Sequence, residues 1–164
     1  MSLTRLITAG AVAVAFVTAS ASAGTMFRLE VGSPIALGVS KYFKKDNPKK
    51  VVLAVRAVVC QDLTSVQITG TAEGNVAGKR QSLPLTLTAV DPAQAVYAIQ
   101  QQWPQEGAWV LHLKGSCSNP KAEASTLAAV SKATFIREKS TVLREPASKK
   151  QVDDAVSNLA RSQS

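Results

Sequence analysis

The sequence predicts an all-β fold: a two-sheet sandwich of about seven strands, followed by a short C-terminal helix. Three observations lead there. Apolar residues recur mainly with the two-residue period of strands, turns containing glycine or proline separate those stretches, and helical spacing is confined to residues 148–161. The chain has 164 residues, of which 46% are hydrophobic and 18% charged, a balance that supports a packed core rather than a disordered chain.

The first strand is expected at residues 26–31, which alternate before the Gly32-Ser33-Pro34 turn; a second short apolar piece follows at 35–39. Residues 51–60 form a near-continuous apolar run broken only by Arg56, as in a central strand covered on both faces. Residues 65–71 set Val66 and Ile68 against Gln67 and Thr69, so one face should be wet. Gly70, Gly74 and Gly78 then mark residues 70–78 as a flexible hairpin connection. Residues 81–90 place Leu83, Leu85 and Leu87 on one face, and Pro84 directs this piece to a sheet edge.

After the Asp91-Pro92 break, residues 95–102 form another β candidate. The clearest alternation is at 108–115: Trp109, Leu111 and Leu113 face one way, whereas Val110, His112 and Lys114 face the other. The first three should be buried, and His112 and Lys114 comparatively exposed. Trp103, before Pro104, reads either as an exposed contact residue or as a lid over the core. Residues 116–124 read as a loop around Cys117 and Pro120, and 125–136 as a closing strand whose alanines leave a helix open. Beyond Pro146, Val152, Ala155, Val156 and Leu159 recur at helical spacing, and Ser148 with Gln151 has the form of a capping box.

Export is expected from the N-terminus. Arg5, the apolar run from Leu6 to Val17 and the small residues Ala21-Ser22-Ala23 are ordered as in a cleavable signal peptide, with Gly24 as the new N-terminus. The run falls short of the roughly 20 apolar residues a membrane span requires. The expected organisation is therefore a signal peptide at 1–23, a β-sandwich at 24–145 and a helical tail at 146–164. The protein should be periplasmic or secreted and not membrane-spanning. In such an oxidising compartment the two cysteines, Cys60 and Cys117, are expected to form a disulfide, closing a long loop at a gain of about 3–4 kcal/mol.

Cys60 closes the second major strand, and Cys117 follows a late strand reading Glu106-Gly107-x-Trp109-x-Leu111-x-Leu113. This pattern resembles the immunoglobulin-like superfold found in bacterial exported domains, across roughly residues 26–136. The resemblance implies a two-sheet sandwich in which an early-strand cysteine meets a late-strand one. Because both cysteines sit at strand ends, their bridge would pin one pole of the sandwich.

Enzyme chemistry is not expected. His112 is the only histidine, and Asp62, Asp91, Glu106, Asp153 and Asp154 show no spacing of paired catalytic carboxylates. The glycines lack the lysine and strand–helix context of a phosphate loop, so no cofactor is expected, and one histidine with two separated cysteines makes no metal site. The formal charge of +8, or +7 without Arg5, favours acidic partners. Its densest expression is KYFKKDNPKK at 41–50, where Tyr42, Lys44, Lys45, Lys49 and Lys50 are the candidate binding residues. A solvated lysine-rich loop that discourages edge aggregation accounts for the same residues more simply.

The leading expectation is a non-catalytic binding or accessory module that contacts another envelope protein. The alternative is an envelope structural subunit or adhesin whose basic loop touches anionic lipid or glycan. Nucleic acid is not an expected partner.

Overall fold

A computed structural model describes residues 26–40 and 51–163. The expected signal peptide and the basic segment with Tyr42, Lys44, Lys45, Lys49 and Lys50 lie outside the described residues.

Among the described residues, nine strands build two antiparallel sheets. The first sheet contains β1 (Arg28–Gly32), β2 (Val51–Val58), β5 (Leu87–Asp91) and β6 (Val96–Gln100), in the order β1-β2-β6-β5. The second contains β3 (Gln67–Val76), β4 (Lys79–Pro84), β7 (Ala108–Ser118), β8 (Lys121–Ser131) and β9 (Thr134–Leu143), in the order β4-β3-β7-β8-β9. Among the described residues one α-helix, α1 (Lys149–Arg161), follows.

The core lies between the sheets. Leu29, Leu53, Val55 and Ile99 from the first sheet meet Trp109, Leu111, Leu113 and Val130 from the second, all fully buried. These residues occupy alternate positions along their strands, so one face of each strand supplies the core. β2 is covered on its other face too: Ala54 packs with Val39, Val96 and Leu37, which is why its sequence reads as almost continuously apolar. Arg56 is the exception, and its guanidinium binds Glu30 across the β1–β2 pair. As expected from Pro84, the 81–90 stretch sits at sheet edges. It divides into β4 on the edge of one sheet and β5 on the edge of the other.

Cys60 and Cys117 are disulfide-bonded, with Cα atoms 5.9 Å apart. The bridge ties the residues beyond β2 to the distal part of β7. Trp103 is buried, and its Nε1 donates to the Lys132 carbonyl at 3.1 Å, so it closes the core as a lid.

The short apolar piece at 35–39 forms a compact turn in which the Val39 amide donates to the Pro34 carbonyl at 2.9 Å. Three expectations need correction. Gly70 and Gly74 lie inside β3, opposite Leu113 and Trp109, rather than in a hairpin connection. A Cβ on Gly74 would overlap the Trp109 ring, and one on Gly70 would come within 2.7 Å of Leu113 Cδ2. Their role is close approach, and the turn itself falls at Ala77 and Gly78, both at positive φ.

The expected loop at 116–124 is instead the continuation of a hairpin. Cys117 pairs with Ala122 and Ser118 with Lys121, the chain turning only at Asn119 and Pro120. Small residues keep the inward alternation alive there, through Gly115, Cys117 and Ala124. Residues 125–136 belong to β8 and β9, so the helix left open by their alanines does not form.

The last correction concerns His112, which is buried at 7% exposure, although Lys114 two residues on is exposed. The cause is α1. Ser148 caps the helix by accepting from the Gln151 amide, while the Gln151 side chain accepts from the Ser148 amide. Val152, Val156 and Leu159 then dock on Ala108, Val110, Leu127 and Ala129, the outward face of the five-stranded sheet. The helical stripe thereby builds a second apolar layer.

Candidate functional site

Two concave features stand out, one at the open flank of the sandwich and one beneath the N-terminal end of α1. The flank lies where edge strands β1 and β9 approach each other across the two sheets. Val31 and Leu37 on one side, with Phe135 and Val142 on the other, line a groove of 580 Å³. Val142 is 46% exposed, and Ile35, in the turn that supplies Ser33 and Ala36 to the groove, is 81% exposed. Arg137 also lines it and has no ion-pair partner among the described residues.

The β9 edge is shaped by a bulge. Ile136 stands opposite Ala129 and Thr141 opposite Leu127, so Arg137, Glu138, Lys139 and Ser140 face the single position of Ala128. Ser140 repairs the interrupted ladder, its Oγ accepting from the Ala129 amide at 2.9 Å and donating to the Ile136 carbonyl at 2.8 Å. The charged bulge blunts the middle of an exposed edge, while leaving edge backbone on either side of it. The five-residue β1 is short, and its outward side chains are tied up. Glu30 binds Arg28 at 2.7 Å and Arg56 at 2.7 Å, and the hydrogen bond from Arg56 does most to hold its carboxyl below the usual value.

The second feature is a cleft of 470 Å³ walled by β3, β4, β7 and the start of α1. Glu73 sits at its floor, accepting from Thr71 Oγ1 at 2.6 Å and from Ser82 Oγ at 2.8 Å, and pairing with Arg80 at 3.1 Å. Arg80 reaches on to Asp153 of α1 at 3.1 Å, and Lys149 holds the other Asp153 oxygen at 2.7 Å. His112 lines the same cleft with its Nε2 buried and without a hydrogen-bond partner. Burial pushes the imidazole below its ordinary value, Lys114 pushes it further, and Glu73 opposes both.

Of the acids singled out in the sequence, Asp153 joins this cleft and the others are engaged elsewhere. Asp62 caps a short 3-10 turn, where hydrogen bonding from Thr64 lowers its carboxyl, and Asp91 caps another through the Gln94 amide. Glu106 supplies its carbonyl to Trp109 Nε1 at 2.8 Å, and Asp154 pairs with Lys150 at 2.6 Å. Among the described residues, no group of three or more His, Cys, Asp or Glu converges as a metal site. No helix among them is long and apolar enough to cross a membrane.

Sequence reasoning missed both concave features, because each joins strands far apart in the chain. The exposed Val142 within an alternating strand and the solitary His112 were the available signals. Comparison with known proteins found no matching family model, no matching curated protein and no matching solved structure.

Proposed function

We propose that the chain is an exported, non-catalytic binding module on an immunoglobulin-like sandwich, acting in the cell envelope by contact with another protein. The flank groove carries this reading. A trough between two sheet edges, lined by Val31, Leu37, Phe135 and the exposed Val142, suits an extended polypeptide segment. Apolar side chains of that segment would fill the space between Leu37 and Phe135. Arg137, which has no ion-pair partner among the described residues, favours an acidic residue beside them.

The immunoglobulin-like assignment is supported by strand order. β1-β2-β6-β5 follows the A-B-E-D sequence of an immunoglobulin sheet, and β4-β3-β7-β8 follows C′-C-F-G, with β9 added beyond G. The disulfide joins the chain just past the B-equivalent strand to the F-equivalent strand, and it fits the oxidising compartment that the expected signal peptide implies. Fold alone does not set function, so the functional reading rests on the groove.

The test is site-specific photo-cross-linking in the envelope from position 36 on the groove wall, with position 121 at the far end of β8 as control. Capture of one discrete protein from 36 alone, resistant to salt and lost in Val142→Glu, supports the proposal. Salt-sensitive capture of anionic polymer would contradict it if it survives Val142→Glu and disappears when Lys44, Lys45, Lys49 and Lys50 become Gln. Binding would then belong to the basic segment.

A further inference from the structure

His112 is the only histidine in the chain and lies beneath the helix that covers the five-stranded sheet. Its burial follows that coverage: Val110 and His112 on the outward face of β7 are covered, whereas Lys114, one step further along the same face, is exposed. Nε2 is buried without a partner, so neither neutral tautomer satisfies it.

A protonated imidazole would fare worse. The charged groups lining its cleft are Glu73 from β3, Arg80 from β4, Lys114 from β7, and Lys149 and Asp153 from α1; β8 offers Leu127, which carries no charge. Both acids are already committed. Glu73 accepts from Thr71 and Ser82 and pairs with Arg80, and Asp153 is held between Arg80 and Lys149. The cleft therefore has three cations and no unpaired anion for a fourth positive charge. Undocking α1 would give the imidazolium water instead.

We infer that α1 is an acid-sensitive latch: protonation of His112 releases the helix from the sheet and uncovers the apolar face formed by Val110, Leu127 and Ala129. The inference is independent of the flank groove and of what binds there. The direction of the pH effect follows from linkage. Burial holds the docked imidazole below the ordinary histidine value, which the undocked one regains. Docking is therefore fully stable above about pH 6.5 and weakens as the pH falls from there to the docked value. Over that window the open population rises by up to about tenfold per pH unit.

Hydrogen–deuterium exchange on the exported full chain at pH 7.5 and pH 5.0, corrected for intrinsic rates, tests this. α1 amides should lose protection several-fold at pH 5.0 while those of β7 and β8 do not, and His112→Gln should remove the difference. Unchanged α1 protection in the parent chain, or the same acid response in His112→Gln, overturns the inference. A nuclear magnetic resonance titration of the single imidazole needs no variant. Its midpoint should fall below 6.5, with the Val152 and Asp153 amides shifting in step; a midpoint at or above 6.5, or helix amides that ignore it, overturns the inference as well.

Discussion

β7 serves two apolar layers, and they are sealed in different ways. Its inner residues Trp109, Leu111 and Leu113 meet side chains from β1, β2, β3, β6 and β8, so that layer opens only when the sandwich comes apart. Its outer residue Val110, with Leu127 and Ala129 of β8, is closed by three side chains of one helix, Val152, Val156 and Leu159. That helix has thirteen residues, and an ion pair from Arg80 to Asp153 ties its first turns to the sheet. Elements held by few buried contacts open locally, at lower free energy than the global transition. The same strand thus supports one layer that is integral to the fold and one that can be lifted from it.

The variant expected to act most strongly is Trp109→Ala. It empties the centre of the inner layer and should lower global stability by about 3–5 kcal/mol in chemical denaturation. A loss below about 1 kcal/mol would mean that the inner layer is not organised around this ring. Replacing Cys60 and Cys117 together by Ala should cost about 3–4 kcal/mol by lengthening the free chain of the unfolded state. Both changes lower the global limit, and neither should alter the local opening of α1 measured against the intact sandwich.

Leu159→Ala addresses the outer layer. It should weaken helix docking by about 2–3 kcal/mol, towards the lower end for a buried leucine because the helix face can settle. The signature is loss of exchange protection in α1 with that of β7 retained; parallel loss in both would merge the two layers into one. The smallest effect is expected from Arg80→Gln, since the guanidinium is well exposed to solvent. The denaturation midpoint should stay within error, and only α1 exchange should rise. A large global loss would show that the Glu73–Arg80–Asp153 chain belongs to the core of the fold.

How much of this was legible in the sequence follows from the same distinction. The inner layer could be read because a strand facing a core alternates over its own length, as Trp109-x-Leu111-x-Leu113 does. The disulfide was legible because the chain holds only two cysteines and an oxidising compartment was expected for it. The glycines misled: their usual meaning is a turn, but Gly74 is small because Trp109 stands across from it on the neighbouring strand. His112 misled for a related reason. Alternation sets the face on which a residue lies but not what covers that face, and the cover begins at Lys149, far along the chain. The flank groove, shared by the first and last strands, has no contiguous signature at all.

The most direct test of the two-layer account is native-state hydrogen exchange of the α1 and β7 amides at neutral pH across a series of low denaturant concentrations. The account predicts that α1 amides exchange through a local opening with a lower free energy and a shallower denaturant dependence. The β7 amides should follow the global transition, and the two sets should converge only near the unfolding midpoint. A single free energy and slope shared by α1 and β7 from the lowest denaturant upward would contradict it, because helix and sandwich would then open as one unit.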